Sequence, residues 1–217
     1  MTLRKWGAFA APILALLYVA GIVLSTTLLN TTGIVDPVER TRFQVQNQGA
    51  MSAFILSLYV LFGCLVPVVA LAACDRFSGS APGMTRIATV FALIWSTLLI
   101  ASGLVFHVGL GAVAELFPRD PSGATALMRI VEVVHEGLGC TAEIPGGLWM
   151  LCLSLPALRT RAMHPGHAWT GIVAGASGIL SVVPALFVPA VGVYVLTSLV
   201  WFTWMGIRLH HPPSLPL

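Results

Sequence analysis

The chain has 217 residues, of which 57% are hydrophobic and only 9% are charged. Its mean hydropathy is +0.92. Soluble domains carry about 25% charged residues, so this composition excludes an ordinary soluble domain and indicates an integral membrane protein. The formal net charge is only +3 and the basic residues are scattered, which excludes the basic patch of a nucleic-acid-binding protein.

Apolar segments suitable for crossing a bilayer follow one another along the chain, and a helical span needs about 20 predominantly apolar residues. The first segment lacks a signal-peptide cleavage site, so we expect it to stay in the protein as a span. The sequence therefore predicts one all-α membrane domain over residues 1–217, with six transmembrane helices. The predicted spans are 7–29, 50–73, 87–114, 125–158, 168–188 and 191–208.

The fourth span is too long for a simple crossing. Residues 122–158 as one straight helix would measure about 55 Å, against a hydrocarbon core of about 30 Å. Either the outer part projects beyond the bilayer, or the helix breaks near Pro145-Gly146-Gly147. Counting back from Leu158 favours a projecting outer part with a modest kink.

The last two spans come from one uncharged stretch, 168–207, which is long enough for two crossings. Pro189, Ala190 and Gly192 predict a tight turn between the two spans. Gly171 and Gly175 form a GxxxG pattern, which predicts a close helix–helix approach.

The distribution of charge predicts that both termini are cytoplasmic. Six spans place the termini on one side, and cytoplasmic loops are enriched in Lys and Arg. The inner basic residues would be Arg4, Lys5, Arg76, Arg86, Arg159, Arg161 and Arg208. The outer ones would be only Arg40, Arg42, Arg119 and Arg129. The tryptophans expected at the inner boundary, as in an aromatic belt, are Trp6, Trp169, Trp201 and Trp204.

Ionisable residues concentrate in the stretch 132–147, EVVHEGLGCTAEIPGG, at or inside the predicted outer boundary. Ionisable side chains in hydrocarbon are costly, and their presence there indicates function. Glu143 lies deepest, so its carboxyl must be protonated, paired, hydrated by a cavity or metal-bound. The competing interpretation is a structural hydrogen-bond partner.

The third span brings His107 to the same outer boundary, and a short loop joins the third and fourth spans. Short connections usually join adjacent elements, so we expect the polar residues of the two spans to meet. The predicted ligand or proton site comprises His107, His135, Glu136 and Glu143. Secondary candidates are Glu132, Arg129 and Glu115. The pair Arg129 and Glu132 is equally compatible with an i,i+3 ion pair on a solvated helix end.

The metal content is left open by the sequence. Imidazole and carboxylate groups bind metals, so the candidate ligands are His107, His135, Glu136 and Glu143. An HExxH spacing is absent, and haem is disfavoured because the histidines are predicted to be peripheral rather than mid-membrane. No cofactor is therefore assigned. Motifs of hydrolases, Walker nucleotide sites and dinucleotide-binding folds are also absent from the sequence.

Two sequence stretches resemble a bacterial family of six-helix membrane proteins of unknown function. They are HEGLGCTAEIPGGLWMLCLSL, which a basic loop follows, and SLVWFTWMGIRL near the carboxyl end. The resemblance covers mainly residues 130–210. It implies a six-helix fold in a bacterial inner membrane, and it transfers no catalytic residues.

Three classes of function fit these observations. The leading hypothesis is a multi-pass inner-membrane protein that binds or transports a small molecule, proton or ion through an outward-facing His/Glu pocket between spans three and four. The alternative is a membrane-embedded enzyme, in which Glu136 or Glu143 acts as general base beside His107 and His135, with or without a metal. The third is an accessory subunit whose polar stripe binds a membrane-protein partner or a second copy of the chain. This stripe consists of residues spaced by three, four and seven positions, namely Arg129, Glu132, Glu136 and Glu143.

Overall fold

The computed structural model describes residues 2–140 and 143–211, with the side chain of Cys140 excepted, and this part of the chain is almost entirely helical. Two π-helical segments, Leu56–Leu61 and Glu136–Cys140, and one short 3-10 helix, Pro184–Leu186, interrupt or join the α-helices. The α-helices of the described residues are α1 (Leu3–Thr26), α2 (Pro37–Gln46), α3 (Gln48–Ile55), α4 (Phe62–Phe77), α5 (Pro82–Leu116), α6 (Pro121–His135), α7 (Ile144–Arg159), α8 (Pro165–Leu180) and α9 (Phe187–His210).

Five helical stretches among the described residues are long and apolar enough to cross a membrane. They are Leu3–Thr26, Gln48–Phe77, Pro82–Leu116, Pro121–Arg159 and Pro184–His210. The chain is therefore a multi-pass, all-α membrane protein, and that prediction is confirmed. Helix α8 is apolar too, but it has only 16 residues, so the count of six spans stays a prediction.

The two described ends of the chain meet at one end of the helical bundle, which we call the terminal end. The Arg4 guanidinium donates to the His211 carbonyl oxygen at 2.9 Å. The Arg208 guanidinium donates to the Ala162 carbonyl oxygen at 3.2 Å, which places the loop between α7 and α8 there as well. The opposite end, which we call the α2 end, carries α2 packed against α6.

Helices α7 and α8 pack backbone to backbone through glycines. A Cβ atom built on Gly147 would lie 2.8 Å from the Gly175 carbonyl oxygen, and one on Gly175 would lie 2.7 Å from the Gly147 oxygen. A Cβ on Gly171 would overlap the Ser154 hydroxyl. The close approach predicted from the GxxxG pattern is therefore confirmed, with α7 as the partner.

The turn before the last helix was predicted in the wrong place. Residues 181–186 form it, whereas Pro189 and Gly192 lie inside α9. Pro189 is the third residue of α9, where a backbone N–H has no helical acceptor, so a proline there does not break the helix.

Two further expectations are corrected by the structure. The polar loop between the first two spans contains a helix, α2, which starts with Asp36 as N-cap and Pro37 as first residue. Trp201 does not join a boundary belt but is fully buried, and its ring packs edge-on against Trp149 at 5.3 Å. Trp6 and Trp169 are each 56% exposed, as expected of belt residues.

Candidate functional site

A break in the fourth span brings Glu143 into the bundle. Helix α6 ends at His135, a π-helical segment follows, and α7 begins at Ile144 with Glu143 as its N-cap residue. The helix break, one of the two predicted solutions for this long span, is observed and precedes Pro145, while projection of the outer part beyond the bilayer stays a prediction. Pro145 is the second residue of α7, a position that proline tolerates well.

The Glu143 residue is fixed through its side chain and its backbone. The Trp95 indole Nε1–H donates to the carboxyl Oε2 at 2.8 Å. The Glu143 backbone N–H donates to the Ser181 hydroxyl at 3.3 Å, and the Glu143 carbonyl oxygen accepts from the Gly147 N–H at 2.8 Å. Helices α5, α7 and the end of α8 therefore all hold this residue.

Tyr194 of α9 lies near the Glu143 carboxyl. Its side chain is fully buried, and its hydroxyl lies near Glu143 and Tyr18 without reaching full hydrogen-bond geometry. Gly146 makes room for it, because a Cβ there would lie 2.5 Å from the Tyr194 hydroxyl and 2.8 Å from the Trp95 ring. A glycine at this position thus allows Trp95 and Tyr194 to approach the acid together.

A cavity of about 220 Å³ opens beside the Glu143 carboxyl. Its rim near the end of α1 reaches the molecular surface, where Ile22 is 42% exposed. The cavity is lined by residues of α1, α3, α4, α5 and α9, by the π-helical segment Leu56–Leu61 and by Glu143. The lining residues are Tyr18, Gly21, Ile22, Ser25, Phe54, Leu58, Tyr59, Phe62, Trp95, Leu99, Glu143 and Val195.

Aromatic rings form one continuous wall of this cavity. The Tyr18 and Phe62 ring centroids are 5.0 Å apart at an interplanar angle of 72°, and those of Phe62 and Trp95 are 5.5 Å apart at 80°. Both pairs are edge-to-face, the geometry that aromatic quadrupoles favour. The wall is consequently built of rings that hold one another in place.

His135 lies in a separate polar contact with α5. The imidazole is only 6% exposed and packs against the rings of Tyr59 and Phe106, with centroids 4.7 and 5.0 Å away. Its Nδ1 lies 2.7 Å from the Ser102 hydroxyl and 3.1 Å from the Ser102 carbonyl oxygen. A carbonyl oxygen only accepts, so the neutral tautomer with Nδ1–H fits both contacts. The Ser102 hydroxyl then donates to the His135 carbonyl oxygen at 2.8 Å.

Removing the Ser102 hydroxyl is expected to lower the stability of the protein. In Ser102→Ala the His135 carbonyl loses its donor and Nδ1 loses its nearer partner inside the bundle, which costs about 1–2 kcal/mol. The measurement is the unfolding transition in detergent. Ser177→Ala is the matched control, because among the described residues that hydroxyl bonds only to carbonyl oxygens of its own helix, at 2.6 and 3.1 Å. Equal destabilisation by the two substitutions would contradict the expected role of Ser102.

The predicted site residues occupy different levels along α5. His135 contacts Ser102, and Glu143 contacts Trp95, which lies seven residues away or about 10 Å along the helix axis. His107 lies about 18 Å from the level of Trp95 by the same measure. Glu136 is half-buried at the start of the π-helical segment. Only Glu143 of the four lines the cavity among the described residues, and the roles of the other three stay predictions.

The secondary candidates belong to the α2 end of the bundle. Glu132 accepts from the Gln44 side-chain amide at 3.0 Å and from Arg40 at 3.4 Å, so it ties α2 to α6. Its oxygen lies 3.9 Å from Arg129, the i,i+3 ion pair that the sequence allowed. Glu115 is exposed near the end of α5. Glu132 therefore has a structural explanation in this arrangement.

Metal-binding geometry is not found in the described part of the chain, where no three His, Cys, Asp or Glu side chains are grouped to share an ion. The neighbours of Glu143 were not predicted from the sequence: Trp95 and Ser181 hydrogen-bond to it, and Tyr194 lies nearby. The sequence did hold one indication of this site, because Tyr18 and Tyr194 are among the few ionisable residues of otherwise apolar spans.

No known relative helps to interpret this site. No protein-family model, no curated protein and no solved structure matches the chain.

Proposed function

We propose that this protein is a six-pass membrane protein of a bacterial plasma membrane with both termini cytoplasmic, and that it binds a small molecule in the Glu143 cavity from the outer side. The meeting of Arg4 with His211 supports an even number of crossings, since an odd number would separate the ends. Helix α8 supplies the sixth crossing beside the five longer stretches. The resemblance seen in residues 130–210 supports the bacterial location.

The basic residues support the cytoplasmic position of the terminal end. Arg4, Arg76 and Arg208 lie close enough there to influence one another electrostatically. Arg40 and Arg129 lie at the α2 end, around Glu132. Three of the seven basic residues predicted to be inner and two of the four predicted to be outer thus lie at opposite ends of the bundle, which supports assigning the terminal end to the cytoplasm.

The observation that carries the proposal is a cavity that combines usable volume with a carboxyl group. An apolar protein cavity of about 150 Å³ is known to accept benzene, so the volume of about 220 Å³ found here suits a small organic molecule. Ligand sites are mostly apolar with a few placed polar groups, and this lining has that character. The π-helical segment Leu56–Leu61 contributes Leu58 and Tyr59 to the lining, and such segments often occur at functional sites.

Access to the cavity is tested by cysteine labelling. Leu58→Cys, in a background whose four native cysteines are replaced by alanine, places a thiol on the cavity wall. We expect a membrane-impermeant methanethiosulfonate reagent applied outside spheroplasts to modify it, because water that enters the cavity allows the thiolate to form.

The control for this labelling is Leu16→Cys, at a residue of α1 that is 66% exposed on the lipid-facing surface of the bundle. A thiol there lies in hydrocarbon and should stay unmodified. Labelling of Leu58→Cys only from the cytoplasmic side would overturn the orientation. Failure to label it from either side would overturn the proposed binding site.

A further inference from the structure

The side chains that line the cavity favour ligands of one charge sign over the other. Five of its described residues are aromatic, namely Tyr18, Phe54, Tyr59, Phe62 and Trp95. The faces of aromatic rings carry negative partial charge and attract cations within about 6 Å of the ring centroid. Glu143 is the one acidic side chain in the described lining, which contains no Lys, Arg or His. Both the aromatic rings and the carboxyl group therefore favour a positively charged ligand.

The Glu143 carboxyl has no cationic partner from the described part of the chain. The ion pairs found there join Arg40, Arg42 and Arg129 to Glu39 and Glu132, all at the α2 end. Trp95 satisfies one carboxyl oxygen with a neutral donor, which leaves the charge of a carboxylate uncompensated. A buried carboxylate is costly unless it is paired or loses its charge by protonation, so a cation in the cavity would pair with the ionised form of Glu143.

An anionic or neutral ligand fits this site less well. An anion would lie beside the Glu143 carboxyl and the aromatic rings, and the carboxylate would repel it. A neutral molecule could fill the volume and hydrogen-bond the carboxyl, but it would supply no charge to pair with a carboxylate. A cation with a small apolar part can interact with both the Glu143 carboxyl and the aromatic rings of the lining.

We propose that the cavity binds a small monovalent organic cation of the amine or quaternary ammonium class, with its charge at Glu143 and its alkyl or aryl part against Tyr18, Phe62 and Trp95. This inference rests on the proposed function and names its ligand class. The volume of about 220 Å³ limits the ligand to a compact molecule.

Two probes of equal shape test the charge requirement. Choline carries a trimethylammonium group, and 3,3-dimethylbutan-1-ol replaces that nitrogen with carbon and is neutral. Binding of each to the purified full-length protein is measured by titration calorimetry in detergent. We expect choline to bind at least tenfold more tightly than the alcohol, because only the cation gains from the carboxylate and the ring faces.

Matched variants locate the site. Glu143→Gln should weaken choline binding at least tenfold and leave binding of the alcohol unchanged. Glu132→Gln makes the same chemical change outside the cavity and should leave both affinities at their wild-type values. The preference of the wild-type protein for choline needs no variant, so it remains decisive if Glu143→Gln fails to fold.

The possible failures are distinguishable. Equal binding of the two probes, or unchanged choline binding by a folded Glu143→Gln protein, would overturn the cation assignment and leave a small-molecule cavity. Loss of choline binding in Glu132→Gln would move the cation to the α2 end and also overturn the assignment. Absence of choline binding while Leu58→Cys is labelled from outside would overturn the ligand class alone. Absence of both would overturn the proposed function as well.

Discussion

Replacing Gly147 with alanine is expected to destabilise the protein strongly, by about 2–3 kcal/mol, because it inserts a methyl group into a backbone contact. The new Cβ would lie 2.8 Å from the Gly175 carbonyl oxygen and 3.3 Å from the Ile179 nitrogen. Both atoms belong to the main chain of α8, so no side-chain rotation relieves the overlap and the helices must separate. The measurement is the unfolding transition of the purified protein in detergent.

Gly192→Ala is the matched control for that substitution. Gly192 is also a helical glycine, in α9, and a Cβ there would meet nothing within 4 Å. Alanine favours helix over glycine by up to about 1 kcal/mol, so this variant should be neutral or slightly more stable. Equal losses of stability in the two variants would show that α7 and α8 are not packed as described.

Replacing Phe62 with alanine is expected to cost at least about 2 kcal/mol of stability, as large-to-small changes in packed cores do. Phe62 is only 2% exposed, and its ring contacts Tyr18, Trp95 and Phe202 at centroid distances of 5.0, 5.5 and 5.9 Å. The substitution removes the central ring of the cavity wall. It should also enlarge the cavity, which a larger quaternary ammonium probe would reveal by binding the variant more tightly than the wild type.

The adjacent Leu61→Ala provides the control, because Leu61 is 47% exposed on the lipid-facing surface of the bundle. Lipid replaces its contacts after substitution, so the unfolding transition should shift little. An equal shift for the two variants would mean that Phe62 is not part of a packed wall.

The architecture could be predicted from the sequence wherever hydropathy alone decides it. Long uncharged stretches predict helices because lipid leaves no other partner for backbone polar groups. The close approach of Gly171 and Gly175 to another helix was also predictable, since small residues at that spacing are the local condition for it. Each of these features depends only on the composition of one segment and on the lipid around it, so the sequence of that segment is enough to predict it.

The neighbours of Glu143 could not be predicted in the same way. A polar stripe over Arg129, Glu132, Glu136 and Glu143 assumes one continuous helical phase, and the interruption at Glu136–Cys140 destroys that phase. Glu132 of α6 contacts Gln44 of α2, whereas Glu143, which lies beyond the interruption, contacts Trp95 of α5. The pairing with Trp95 depends on the register between two antiparallel helices, which hydropathy does not encode.

Proline and glycine were informative about boundaries only when their position in the helix was considered. Pro145 and Pro189 both lie in the first turn of a helix, α7 and α9 respectively, where the missing N–H is harmless. Because Pro189 was interpreted as a turn residue, the turn before α9 was predicted too far toward the carboxyl end of the chain. The Asp36-Pro37 pair, by contrast, is a recognisable helix start and would have revealed α2.

The shortness of α8 has a consequence for the surrounding lipid. Its 16 residues span about 24 Å, less than the hydrocarbon thickness of about 30 Å, so the proposed sixth crossing shows hydrophobic mismatch. The apolar residues Val182, Val183 and Leu186, each at least 40% exposed, extend its lipid-facing surface. Backbone hydrogen bonds from Val183 to Leu180 and from Leu186 to Val183 reduce the cost of that irregular segment in lipid. Bilayers with shorter acyl chains should relieve the mismatch, which makes membrane thickness a physical variable to which this face of the protein responds.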